Sequence, residues 1–210
     1  MLKPWIAAVA GLGLSSLVMA ASPVAGKEYK VLDTSVETSV DEGQIEVIEV
    51  FWYGCPYCYK LEEPLNAWVD ELPDDVTFQR LPATMSDTWT AHARAFYAAQ
   101  QLGILDQVHS DFFDAIQQQG QRLTDTDDIA AFFSDYAVSE ADAKEALSSF
   151  GVKSQINQAY AKMRAYELMG VPALVVDGQY VVTPRTAGSL EEMPQIAGAL
   201  IDKVRQERSE

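Results

Sequence analysis

Residues 44–59 read Gln44-Ile45-Glu46-Val47-Ile48-Glu49-Val50-Phe51-Trp52-Tyr53-Gly54-Cys55-Pro56-Tyr57-Cys58-Tyr59. The first nine are rich in β-branched and aromatic side chains and predict a strand over 44–52. Cys55 and Cys58 follow at once. From Pro56 an apolar face of Leu61, Leu65, Trp68 and Val69 predicts a helix over 56–71, with Pro73 just past its end. Two thiols so spaced in the first turn of a helix close a small disulfide ring. The first lies where backbone N–H groups lack intrahelical acceptors and where the helix dipole favours negative charge. Both effects favour thiolate over thiol, so Cys55 is expected to be the acidic sulfur. Pro56 suits the first helical position, because its missing N–H would have had no partner. Cys58, a turn deeper, is expected to be the buried thiol that resolves a mixed disulfide.

The chain has no other cysteine, so its core must hold without disulfide staples and the two thiols are free for chemistry. Attachment of a c-type haem needs His directly after the second Cys, and residue 59 is Tyr. A zinc site needs two further ligands. His92 and His109, the only histidines, fall in other predicted helices without ligand spacing, which leaves zinc only across a dimer. A purely structural disulfide over so short a loop constrains the unfolded chain little. Redox chemistry is the best reading of the pair, with neither metal nor cofactor expected.

Outward from this stretch, residues 29–32 predict a short edge strand and 76–81 a second core strand. A helical block follows. Ser86 or Asp87 caps a helix carrying Trp89, Phe96 and Leu102, which Gly103 stops. The next runs from about Leu105 with Val108, Phe112 and Ile116 inward, to Gly120. Thr126 or Asp127 caps a third, with Ile129, Phe132, Phe133 and Tyr136, and Ser139 opens a fourth. A fifth is expected over 152–169, with Ile156, Tyr160 and Met163 at helical spacing, stopped by Gly170. Strand character returns at 173–176 and 179–182 around Asp177-Gly178, a two-residue hairpin signal. A final helix is expected from Ser189, with Glu192 completing a capping box and Pro194 as a kink or a later start.

The order resembles a thioredoxin-like α/β fold, a central mixed sheet flanked by helices, interrupted by an inserted all-α helical domain. The strand-helix-strand crossover is expected to be parallel and right-handed, with the hairpin adding the antiparallel half of the sheet. The expected bounds are 21–85 and 170–210 for the thioredoxin-like part and 86–169 for the insertion.

Residues 1–20 predict a secretory signal peptide: Lys3, an apolar run over 5–18 broken only by small residues, and Val18 and Ala20 placed for a cut at Ala20–Ala21. The run is short for a membrane span. An oxidising compartment follows. A net charge of −16, from 31 acidic against 15 basic residues, opposes binding to a phosphate backbone, so no nucleic-acid partner is expected.

The run from Glu49 to Tyr59, the helical block, and Gly170-Val171-Pro172-Ala173 together resemble the DsbA family of periplasmic thiol:disulfide interchange proteins. The resemblance implies catalytic roles for Cys55, Cys58 and Glu49. Cys55 is its exposed nucleophile, Cys58 the buried partner, and Glu49 the buried acid that moves protons to and from Cys58. It also implies substrate contacts at Pro56, Tyr57, Val171 and Pro172, the last a cis-proline facing the thiols beside a Val backbone that pairs with extended substrate. Alternation with Glu46 leaves a solvent-facing Glu49 open. Arg80 stands where the family usually carries Lys. Arginine exchanges no proton, so a shuttle rests on Glu49 alone.

Tyr57 replaces the family's common His, which implies a less acidic Cys55 and a less oxidising disulfide. The implied partners are reduced, newly exported proteins and a DsbB-type quinone-linked membrane oxidase. An isomerase or reductase using the same thiols stays open, though DsbC-type isomerases carry a dimerisation domain ahead of the first core strand and usually Thr before the cis-proline. A monomer is therefore expected. The remaining alternative is a non-enzymatic binder of extended peptide.

Overall fold

The computed structural model describes residues 22–210, so the expected export signal over 1–20 lies outside the described residues. Five strands are β1 (Lys30–Val31), β2 (Ile45–Phe51), β3 (Val76–Pro82), β4 (Ala173–Val176) and β5 (Tyr180–Val182). Helix α1 (Pro56–Val69) joins β2 to β3. Between β3 and β4 lie α2 (Asp87–Gln101), α3 (Leu105–Gln117), α4 (Thr126–Phe133), α5 (Glu140–Ser148) and α6 (Phe150–Ala165). After β5 come α7 (Pro184–Ala187) and α8 (Glu192–Ser209).

The sheet runs β1-β5-β4-β2-β3. β2 pairs parallel with β3 and antiparallel with β4, and β4 with β5 and β5 with β1 are antiparallel. This is the mixed sheet expected of the thioredoxin-like order. Every residue of β2 is buried. Its even positions Ile48 and Val50 join the cluster shared with α2–α6, and its odd positions Ile45 and Val47 join Leu61, Leu65 and Leu200 of α1 and α8. A strand covered on both faces puts any polar residue it carries into the interior, whichever way that residue points.

Several boundaries differ from the sequence expectation. α4 is capped by Asp125, whose carboxylate accepts the N–H of Asp127, rather than by Thr126 or Asp127. α6 begins at Phe150, capped by Ser149, and stops at Ala165 rather than Met169. Glu167 turns left-handed at φ 53°, and the N–H groups of Glu167 and Leu168 bond back to Arg164 and Met163 in a Schellman arrangement. Tyr160 of this helix is exposed rather than inward. The hairpin connection has three residues: Asp177 and Gly178 at φ 52° and 62°, then Gln179, whose N–H closes the turn on Val176. α7 was not foreseen. Thr183 and Thr186 cap it reciprocally. The last helix starts at Glu192. Ser189 accepts its N–H, and Pro194 falls in the first turn, where no backbone N–H is needed.

Candidate active site

β2 ends at Phe51 and hands over to the turn Trp52-Tyr53-Gly54, closed by the Cys55 N–H on the Trp52 carbonyl at 2.9 Å. Gly54 is required there, because a Cβ would collide with the Trp52 indole. Cys55 is the N-cap of α1, with Pro56 at the first helical position. Its Sγ accepts the backbone N–H of Cys58 at 3.4 Å, as a serine or aspartate oxygen would at this position. Hydrogen bonding from the Cys58 thiol is the largest influence on Cys55. Burial opposes it, and the backbone N–H groups of Cys58 and Tyr57 reinforce it. Together they bring the Cys55 thiol down from 9.0 to about 6. Burial pushes the Cys58 thiol strongly upward, and the adjoining Cys55 and Glu49 add to it. The two sulfurs are thus driven apart in acidity. Cys55 keeps a window of 7% exposure and Cys58 has none.

The Val171–Pro172 peptide bond is cis. The Val171 carbonyl oxygen lies 3.7 Å from Cys55 Sγ, so the loop brings a backbone acceptor to the face of the acidic sulfur. Tyr57 projects outward, 61% exposed, with Lys60 Nζ 5.9 Å from its ring.

Glu49 points inward and is fully buried. Arg80, its register partner on β3, donates Nε–H to Glu49 Oε2 at 3.0 Å. Arg80 also reaches Glu62 at 3.5 Å and Asn66 at 2.5 Å on α1. Burial is the main cause, and the like charge of Glu62 the second, that lifts the Glu49 carboxyl from 4.5 to about 8, against the pull of Arg80. Burial works in the same direction on Glu62, but His109, Arg80 and Asn66 outweigh it and hold this acid below its ordinary value. One cation between a buried acid and a partly buried one leaves one of them protonated near neutrality, and that one is Glu49.

Sequence reasoning passed over three residues here. Glu62 lies on α1 beside the Arg80–Glu49 pair. His92 and His109, weighed only as zinc ligands, hold the turn before Cys55 against the helices. Trp52 Nε1–H donates to His92 Nδ1 at 2.9 Å, and His92 Nε2–H to the Arg122 carbonyl at 3.0 Å. The Tyr53 hydroxyl meets His109 Nδ1 at 2.8 Å, and Gln117 of α3 donates to the Tyr53 carbonyl. The Trp52 indole stacks on Trp89 with centroids 4.5 Å apart.

An acidic, slightly exposed sulfur, a second sulfur locked as a thiol, and a buried carboxyl that carries a proton near neutrality suit reversible thiol–disulfide exchange. Comparisons with known proteins agree. Residues 75–199 match the model of the DSBA-like thioredoxin domain. The thiol:disulfide interchange protein DsbA of Pseudomonas syringae is 43% identical over 187 residues, 89% of this chain and 87% of that protein. That of Azotobacter vinelandii is 38% identical over 86% of this chain and 84% of its own length. The crystal structure of Pseudomonas aeruginosa DsbA superposes with a TM-score of 0.85 at 36% identity, over 89% of this chain and 97% of that one. That of the oxidoreductase DsbA from Xylella fastidiosa gives 0.84 at 29%, over 89% and 100%. With relatives this similar along nearly their whole length, the chain belongs to the DsbA family of thiol–disulfide oxidoreductases.

Proposed function

We propose that this protein donates the Cys55–Cys58 disulfide to newly exported proteins in the periplasm, after cleavage of a signal peptide at Ala20–Ala21. A substrate thiolate attacks Cys55 Sγ. The Cys55–Cys58 bond breaks, and Cys58 takes the electron pair and a proton from Glu49. A second substrate thiolate then attacks the substrate sulfur of the mixed disulfide and expels Cys55 as a thiolate. The substrate leaves with a disulfide and the protein with two electrons, which a DsbB-type quinone-linked membrane oxidase removes. Pro56, Tyr57, Val171 and Pro172 form the docking edge, where extended substrate pairs with the Val171 backbone.

The observation that carries this reading is the hydrogen-bonded Cys55 Sγ at the head of α1, with its thiol brought to about 6. A leaving group that is an anion at neutral pH favours the reduced protein, so the disulfide passes outward. The test is the redox equilibrium against glutathione, together with oxidative refolding of a reduced, disulfide-containing substrate. The oxidised protein is expected to oxidise glutathione thiols and to accelerate refolding of the reduced substrate more than that of a scrambled one, and Cys55→Ala to do neither. Faster recovery of the scrambled substrate would assign an isomerase. Full biological function in Cys55→Ala would assign a peptide binder.

A further inference from the structure

Both histidines of the chain are buried in the helical block, and each bonds one of two consecutive residues, Trp52 and Tyr53, just ahead of Cys55. Their second nitrogens differ. His92 ends on the backbone carbonyl of Arg122. His109 Nε2 lies 3.3 Å from Glu62 Oε2 without the alignment of a formed hydrogen bond, and is otherwise unpartnered among the described residues. Burial keeps Tyr53 protonated, so its hydroxyl has a proton to donate to Nδ1 across 2.8 Å. With that donation the ring proton sits on Nε2, on the side of the Glu62 carboxylate. Burial keeps the imidazole neutral below its ordinary value.

We propose that His109 is a positioning residue for proton transfer at Cys58: it directs Nε2–H to Glu62 and anchors Nδ1 on the Tyr53 hydroxyl. Glu62 thereby becomes the charged member of the acid pair, and Glu49 the member that holds the exchangeable proton. The inference rests on the reading of Glu49 as proton donor and acceptor for Cys58.

The charged and titratable groups that face His109 are Tyr53 in the turn, Glu62 on α1, Arg80 on β3 and Asp106 on its own helix, among the rings of Phe51, Phe96 and Phe113. Those acting on Glu49 are Arg80 and Glu62, and Glu49 in turn acts on Cys58. Arg80 donates to both carboxylates, but its single positive charge neutralises only one of them. The donor that His109 adds at Glu62 widens the difference that the deeper burial of Glu49 begins, so that Glu62 ionises first. Glu62, Arg80 and His109 line a cleft of about 710 Å³. In the resolving step the Cys58 S–H bond breaks, its proton passes to the Glu49 carboxylate, the Cys55–Cys58 bond forms, and the departing thiolate keeps the electron pair.

The experiment follows the Cys55–glutathione mixed disulfide, formed by rapid mixing of reduced protein with oxidised glutathione, as Cys58 resolves it between pH 5 and 10. In the native protein the rate is expected to rise with a midpoint near the Glu49 value of about 8. His109→Phe fits the aromatic surroundings but removes the donor. Glu62 then competes less well for charge, Arg80 turns to Glu49, and the midpoint falls by roughly one pH unit. His109→Gln restores a donor and an acceptor and returns the midpoint to the native value. His92→Gln lowers thermal stability and leaves the midpoint in place.

An unshifted midpoint in a folded His109→Phe overturns the inference. Should that variant not fold, nitrogen NMR of the native imidazole decides: a protonated Nε2 is expected, and a protonated Nδ1 overturns the inference. Glu49→Gln separates the two layers. A native profile in that variant sinks the Glu49 reading and this inference with it. Loss of the midpoint there, with none of the shift in His109→Phe, sinks the inference alone.

Discussion

Tyr57, like Arg80, stands where the resemblance implied a different residue, and it is the one of the two that lies between the thiols in sequence. The Tyr57 ring points into solvent, and what it contributes at Cys55 is its backbone N–H. The thiolate is therefore stabilised by Cys58 and by main-chain donors alone. Tyr57→His adds an imidazole at the same place, and a protonated one places positive charge beside the sulfur. The Cys55 pKa, followed by thiolate absorbance, is expected to fall below its value of about 6, and the couple to become more oxidising by about 30 mV per pKa unit. A variant with unchanged acidity and potential would show that the side chain at this position does not act on the sulfur. The two thiols were legible from spacing alone, because a C-x-x-C at a helix start carries its physics in the backbone. The burial of Glu49 was not, because period-two alternation assigns a face only where one face of a strand is wet, and both faces of β2 are dry. Glu46 and Glu49 point to opposite faces and both are buried. Glu62 and His109 carried no signal, since their partners lie on other elements.

Among the elements, those named by periodicity were legible and those ended by backbone geometry were less so. The apolar spacing of α2 and α3 reads directly, and Ser86 and Ser139 cap α2 and α5 where expected, accepting the N–H groups of Trp89 and Asp142. α6 ends on a left-handed glutamate, a conformation glutamate seldom adopts, so nothing before Gly170 marks the stop. The Asp177-Gly178 turn announced itself, but its task did not. The Val36 N–H donates to the Gly178 carbonyl at 2.9 Å, and the Leu32 N–H to that of Gln179 at 2.9 Å, so the turn anchors the segment that leads from β1 to β2. At Gly178 a Cβ would run into the Val36 carbonyl, and φ of 62° disfavours any side chain. Gly178→Ala is expected to cost about 1–2 kcal/mol from the backbone conformation alone. In thermal unfolding and amide exchange this should appear as a lower melting temperature and faster exchange at Val36. Native exchange at Val36 in that variant would mean the anchor holds without the turn.

At the scale of the whole molecule, the question is whether residues 86–169 behave as a unit apart. The apolar cluster beneath the sheet argues that they do not, since Ile48, Val50 and Phe51 share it with Phe96, Phe112 and Phe133 of the helices. The Trp52–Trp89 stack and the two histidine bonds cross the same boundary. Fluorescence from the tryptophans and the far-ultraviolet signal of the backbone are expected to report one coincident transition, and two separated transitions would make the helices an independent domain. The redox state should move that transition with pH in a fixed direction. In the reduced protein the Cys55 pKa is lowered on folding, from an ordinary 9.0 to about 6. Its stabilisation is therefore complete above the unfolded value and disappears as pH falls through the folded one. Cys58, raised on folding, opposes this only above the ordinary thiol range. The oxidised protein has neither thiol to titrate. Glu49 titrates in the same window, and comparing the two redox forms of one chain removes whatever it contributes equally to each. The melting temperature of the reduced protein minus that of the oxidised one is therefore expected to grow between pH 6 and pH 9 and to flatten below pH 6. A difference independent of pH across that window would mean that the thiolate at the head of α1 does not stabilise the reduced fold, and the outward direction of disulfide transfer would lose its thermodynamic basis.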